Sequence, residues 1–166
     1  MAFCYEVLLI VVACSDANWA GCRDSCRSTI YNWVGMQYVF SPNVIVWCSK
    51  KQPTISESST EAEYRVVAYT AAETVWIRKL LYDLGITLTS PVRMCVDNVS
   101  ATYLTTNPVH HDRSKHIAVD YHLVHEHFAH GDLVVRHVPT RLQLADIFTK
   151  GLSSQQFLFH RSNLSM

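Results

Sequence analysis

Between Val7 and Cys14 the chain reads VLLIVVAC, an apolar run that ends just before Asp16. It is far shorter than the ~20 residues needed to cross a bilayer. Glu6 is the only charge before Asp16 and no Lys or Arg precedes Arg23, the reverse of a signal peptide's basic start. The run therefore predicts a buried strand over about Tyr5–Ser15, with Asp16 at its end.

The remaining periodicities extend this strand into a sheet. After a polar loop, Ala17–Thr29, two β-rich stretches follow at Trp33–Phe40 and Val44–Ser49. A Ser/Thr-rich segment leads into a long helix, about Glu61–Leu84, whose Tyr64, Val67, Ala68, Ala71, Val75 and Leu81 share one face. Pro91 opens a strand at Val92–Val96, and a short helix is predicted near Val99–Thr105. The stretch Arg113–His130 has helical spacing, Leu133–Val138 reads as a strand, and Leu142–Lys150 reads as a last helix. Gly85, Gly131 and Gly151 each follow such an element, where a left-handed cap costs glycine little. The order predicts an α/β fold, a mixed five-stranded sheet with helices on both faces. The 166 residues suit one domain, placed at 1–152, followed by a C-terminal tail at 153–166.

Hydrophobic residues make up 49% and charged residues 17%, which excludes a disordered chain. Lys and Arg number 14, as do Asp and Glu, so the chain lacks the basic excess of a freestanding nucleic-acid binder. Six cysteines are scattered through apolar and strand-like stretches. They read as reduced, mostly buried thiols of an intracellular protein rather than as a disulfide framework.

The acids stand at informative places. Asp16 and Asp97 each follow a predicted strand, Glu63 lies in the first turn of the long helix, and Asp146 lies in the last helix. Strand ends in an α/β sheet bring such side chains together. Carboxylates so gathered repel one another, and hard cations such as Mg²⁺ or Mn²⁺ relieve the repulsion. Local roles compete with this reading. Ser58 with Glu61, or Thr60 with Glu63, spells a capping box. Asp97–Asn98 suits a turn or N-cap, and Asp16 and Asp146 suit a turn and a solvated helix face.

Four long segments carry a family resemblance. SDANWAGCRDSCRST (Ser15–Thr29), WCSKKQPTISESSTEAEYRVVA (Trp47–Ala68), CVDNVSATYLTTNPVHHDRSKHIAVDYHLVHE (Cys95–Glu126) and HVPTRLQLADIFTKGL (His137–Leu152) occur in the order found in copia-type retrotransposon ribonuclease H domains. The chain resembles that family from about Ala13 to Leu152. The resemblance implies a ribonuclease H-like fold and cleavage of the RNA strand of an RNA–DNA hybrid. It implies two Mg²⁺ (or Mn²⁺) ions held by Asp16, Glu63, Asp97 and Asp146. Asp16 would bridge both ions, Asp146 would help hold the ion that activates water, and Glu63 and Asp97 would hold the other. The implied partners are the hybrid and the reverse transcriptase domain of a parent polyprotein, with no membrane. The implied location is cytoplasmic, in particles, or nuclear.

Candidate backbone contacts to nucleic acid are Lys50, Lys51, Asn98, Arg113, Lys115 and Arg141. The chain departs from the family pattern at Asn18, Cys26 and Ala118, and Ser28–Pro42 is longer, which threatens the second strand. The longer second-strand region and the zero formal charge support the alternative of a catalytically inactive remnant that at most binds nucleic acid. Trp19, Trp33, Trp47 and Trp76 are predicted to be core residues. His122, His125 and His127 are assigned helix faces without catalytic roles.

Overall fold

The structure, a computed structural model, describes residues 9–38, 41–106 and 117–164. Its strands are β1 (Ile10–Asn18), β2 (Thr29–Tyr38), β3 (Ser41–Lys51), β4 (Val92–Val96) and β5 (Leu133–His137). Its helices are α1 (Ser59–Asp83), α2 (Val99–Thr106), α3 (Ala118–Ala129), α4 (Asp146–Thr149) and α5 (Ser154–Asn163), with a 3₁₀ turn at Thr140–Leu142. The sheet order is β3-β2-β1-β4-β5. β1–β2 and β2–β3 pair antiparallel, while β1–β4 and β4–β5 pair parallel. The mixed five-stranded sheet with helices is the predicted fold class.

Side-chain alternation along the central strands builds two cores. Val11 and Ala13 of β1, Met94 and Val96 of β4, and Leu133 and Val135 of β5 pack with Tyr64, Val67, Ala71, Tyr121 and Val124 from α1 and α3. Cys14 and Trp33 turn to the opposite face, where Ala145 and Leu164 cover them and Ile147 and Phe148 pack alongside. Burying each such large apolar side chain is worth roughly 1.5–3 kcal/mol. The central strands thus have cover on both sides, as the unbroken apolar run in β1 requires.

The helix ends follow local chemistry. The Ser58 side chain accepts the backbone N–H of Glu61 at the start of α1. Gly85 closes α1 at φ +81, with Gly85 N–H donating to Tyr82 O and Ile86 N–H to Leu81 O. Gly131 repeats this pattern after α3, with φ +74, whereas Gly151 does not take a positive φ.

Several expectations need correction. Asp16 does not end its strand, because pairing with β2 continues through Asp16↔Tyr31 to Asn18↔Thr29. The same pairing starts β2 at Thr29, four residues before the predicted Trp33. The longer Ser28–Pro42 stretch leaves the β1–β2 register unbroken from Ile10↔Gln37 to Asn18↔Thr29, while the β2–β3 pairing carries a register shift at Val34/Gly35. The predicted helix Leu142–Lys150 is interrupted because Gln143 is extended, at φ −74 and ψ 103. Residues 153–166, set apart as a tail, contain α5, and Leu164 beyond it is buried against the second core. Among the tryptophans only Trp33 is buried, since Trp19, Trp47 and Trp76 are about half exposed or more. The five described cysteines are free, but only Cys14 is buried. The predicted first turn of the third helix, with Arg113 and Lys115, lies outside the described residues.

Candidate active site

The carboxylates reach one region from four elements. Asp16 projects from β1, Glu63 from the second turn of α1, Asp97 follows β4 directly, and Asp146 is the first residue of α4. One ligand oxygen each from Asp16, Glu63 and Asp97 lie within 4.8 Å of one another. Those three line a cleft with Ala17, Asn18, Asn98, Thr149 and Lys150. Asp146 joins the cluster differently. Lys150 Nζ is 2.6 Å from Asp146 Oδ1 and 3.6 Å from Asp16 Oδ1, so one ammonium bridges both carboxylates.

Local structure decides which acid of the Glu61–Ala62–Glu63 segment faces this cleft. Glu61 accepts the backbone N–H of Glu57 through Oε2 and pairs with Arg65 at 2.7 Å. It is therefore committed to the helix start. Glu63, two residues on, accepts the N–H of Ala17 through Oε1 at 3.2 Å. Asp97 is held more loosely, accepting Thr140 Oγ1–H at 3.3 Å. The His137 ring contacts the Asp97 backbone carbonyl at 3.2 Å.

Burial and mutual repulsion shift the acids. Burial, with Asp16 and Asp97 adding repulsion, pushes Glu63 up to about 8. Burial also raises Asp146 to about 6, although its hydrogen bond to Lys150 opposes the shift. Asp16 is raised by burial against the pull of Lys150 and Thr149. Burial works to lower Lys150, but its hydrogen bond to Asp146 and the surrounding acids outweigh this and raise it. Asp16 Oδ2 and Glu63 Oε2 are buried without a hydrogen-bond partner. Two orphaned carboxylate oxygens in a cluster of like charges form a donor set that a hard divalent cation fits.

Two residues that sequence reasoning missed organise the site. Gln143 is fully buried, and its Nε2 donates to Ser15 O at 2.8 Å and to Cys95 O at 3.4 Å. It fixes the segment before Asp146 to both central strands. Lys150 stands four residues after Asp146, a spacing that signals an ion pair on a helix.

The predicted nucleic-acid contacts divide. Asn98 lines the cleft, but its Oδ1 caps α2 by accepting Ala101 N–H at 2.9 Å. Lys50 lies over the Tyr69 ring, 3.5 Å from its centroid. Lys51 donates to Cys22 Sγ at 3.1 Å, and Arg141 is exposed in the 3₁₀ turn. His125 contacts Leu104 O and His127 faces Asp132, partners outside the carboxylate cluster.

No protein-family model matches the chain. It is 50% identical over 145 residues to the retrovirus-related Pol polyprotein from transposon RE1 of Arabidopsis thaliana, covering 87% of this chain and 10% of that polyprotein. The polyprotein from transposon RE2 of the same plant gives the same identity and coverage. That from transposon TNT 1-94 of Nicotiana tabacum is 35% identical over 143 residues, covering 86% of this chain and 10% of its own length. The chain thus spans about a tenth of the relatives it matches. Among solved structures, RNase H1 from Halobacterium salinarum superposes with a TM-score of 0.54 at 12% identity, over 81% of this chain and 89% of that one. LC11-RNase H1 in complex with an RNA/DNA hybrid gives 0.51 at 15% identity, over 81% and 88%. These likenesses establish the fold.

Proposed function

This chain is a ribonuclease H domain of the copia-type Pol polyprotein family, and from that premise we propose that it hydrolyses the RNA strand of RNA–DNA hybrids with divalent metal. The observation that carries the reading is the convergence of Asp16, Glu63 and Asp97 in one open cleft, with two of their buried oxygens unpartnered.

Asp16, Glu63, Asp97 and Asp146 would hold two Mg²⁺ or Mn²⁺ ions. Bound there, such ions supply an activated water and stabilise the charge on the leaving oxygen. The chain's own residues do the rest. Ala17 N–H orients Glu63, Gln143 fixes the approach to Asp146, and Thr140 steadies Asp97. Lys50, Lys51, Asn98 and Arg141, with Arg113 and Lys115, would contact the hybrid backbone. Ribonucleases of this kind read groove shape and 2′-hydroxyls rather than base sequence. The reverse transcriptase domain of a parent polyprotein is the proposed partner. No described helix is long and apolar enough to cross a membrane. The proposed place of action is inside the cell, in cytoplasmic particles or the nucleus.

The deciding experiment is cleavage of a labelled hybrid in Mg²⁺, in Mn²⁺ and in EDTA. Cleavage of the RNA strand with either ion and none in EDTA supports the reading. An intact hybrid under all three conditions leaves the catalytically inactive remnant.

A further inference from the structure

Lys150 puts a cation inside the carboxylate cluster, and its setting differs from that of a surface ion pair. Its partners Asp16 and Asp146 are 2% and 3% exposed, whereas the lysine side chain is 44% exposed. The ammonium therefore enters from the solvent side and meets acids fixed in the fold. The stem starts where α4 has ended, since Lys150 is extended at φ −125 and ψ 145. The same lysine lines the cleft formed by Asp16, Glu63 and Asp97.

An ammonium 2.6 Å from Asp146 Oδ1 and 3.6 Å from Asp16 Oδ1 sits on the same two carboxylates that a divalent ion at this edge would bind. The two cations repel at such short range and compete for the same negative charge. We propose that Lys150 is a tethered stand-in for the metal, neutralising the Asp16–Asp146 edge when no ion is bound and leaving it when one binds. This rests on the reading of the cluster as a metal centre. Loading of the ion and release of Lys150 are then one event. The released ammonium, on its solvent-facing stem, becomes free to pair with a substrate phosphate.

The test is Mn²⁺ binding, followed by the electron paramagnetic resonance signal of the free ion, on the parent chain, Lys150→Met and Lys150→Arg. Lys150→Met should bind Mn²⁺ about tenfold tighter or more, because a unit charge a few ångströms from the site no longer competes. Lys150→Arg, which keeps the charge, should bind no tighter than the parent. Independently, the side-chain NMR signals of Lys150 in the parent should shift when Mg²⁺ saturates the site. Unchanged or weaker Mn²⁺ affinity in Lys150→Met overturns the proposal, as does a Lys150 signal that Mg²⁺ leaves in place. The NMR measurement decides if Lys150→Met fails to fold. Absence of ion binding in all three chains would instead overturn the metal-centre reading, and the proposal with it.

Discussion

The backbone N–H of Ala17 donates to Glu63 Oε1 at 3.2 Å, joining β1 to α1 one residue beyond Asp16. This bond holds a buried glutamate against a buried aspartate, and metal-free folding opposes the result. Burial, then Asp16, then Asp97 push Glu63 up to about 8. The folded chain therefore keeps a proton that the unfolded chain releases near its ordinary value. Between about pH 4.5 and 8 the folded state binds more protons, so this group's contribution to stability falls as pH rises. Glu63→Gln removes the titration and can still accept from Ala17. In EDTA the variant should match the parent near pH 4 and exceed it near pH 8 by on the order of 5 kcal/mol, at ~1.4 kcal/mol per pH unit. Urea unfolding across this range measures the difference, and saturating Mg²⁺ should reduce it.

Asp97 offers the cleanest separation of chemistry from folding. It is partly exposed and accepts one hydroxyl, from Thr140, at 3.3 Å. Asp97→Asn keeps the shape and removes a negative ligand oxygen. Hybrid cleavage should fall by at least about 10²-fold, the scale on which an organised charge contributes to a transition state. The urea midpoint should stay within roughly 0.5 kcal/mol of the parent. Parent-rate cleavage by this variant would remove Asp97 from the site.

Gln143 predicts a structural defect with a catalytic consequence. Its buried amide joins Ser15 O on β1, which carries Asp16, to Cys95 O on β4, which precedes Asp97. Gln143→Leu fills similar space but leaves both its donors missing. Stability should drop by about 1–3 kcal/mol for the unmet buried carbonyls. Because Asp146 follows three residues later, metal affinity should weaken as well. Isothermal titration with Mg²⁺, compared with urea unfolding of the same variant, separates the two effects.

The sheet was legible because its signals are local. Leu9, Val11 and Ala13 of the apolar run, alternate residues of Val92–Val96, and Tyr64, Val67, Ala68, Ala71 and Leu81 of the predicted α1 face are buried in the core, with Val75 only half-buried. The site was less so. Capping arguments alone left Glu61 and Glu63 equivalent, and their partners distinguish them: Glu57 N–H and Arg65 for Glu61, Ala17 N–H for Glu63. The spacing of four makes Lys150 readable as a partner of Asp146, but its contact with Asp16 and the bond of Gln143 to Ser15 each span more than 100 positions, which no spacing reveals. Trp47 misled because β3 is an edge strand. Its ring is 61% exposed and stacks on Phe148, 5.8 Å between centroids, rather than entering the core.

Grip on the hybrid should be weak and sensitive to salt, for reasons that extend beyond zero net charge. Two of the candidate phosphate contacts already have partners. Lys50 rests on the face of Tyr69, and Lys51 donates to Cys22 Sγ at 3.1 Å. Donors from Ser25, together with Lys51, pull the Cys22 thiol down to about 6, so at neutral pH Lys51 faces a thiolate. A phosphate must compete with that charge. Each phosphate contact lowers affinity by ~0.7–0.9 of a power of salt. Lys50→Met should therefore reduce the slope of affinity against salt by about one contact. Cys22→Ser frees Lys51 and should tighten hybrid binding at pH 8, with no gain at pH 5, where the thiol is already protonated. A matching polymerase domain joined to the chain should tighten binding further while turnover stays level. Fluorescence anisotropy with a labelled hybrid in Ca²⁺, across salt and at both pH values, measures the affinities, and hybrid cleavage in Mg²⁺ measures turnover. Equal affinity of Cys22→Ser and the parent at pH 8 would show that Lys51 does not touch the hybrid.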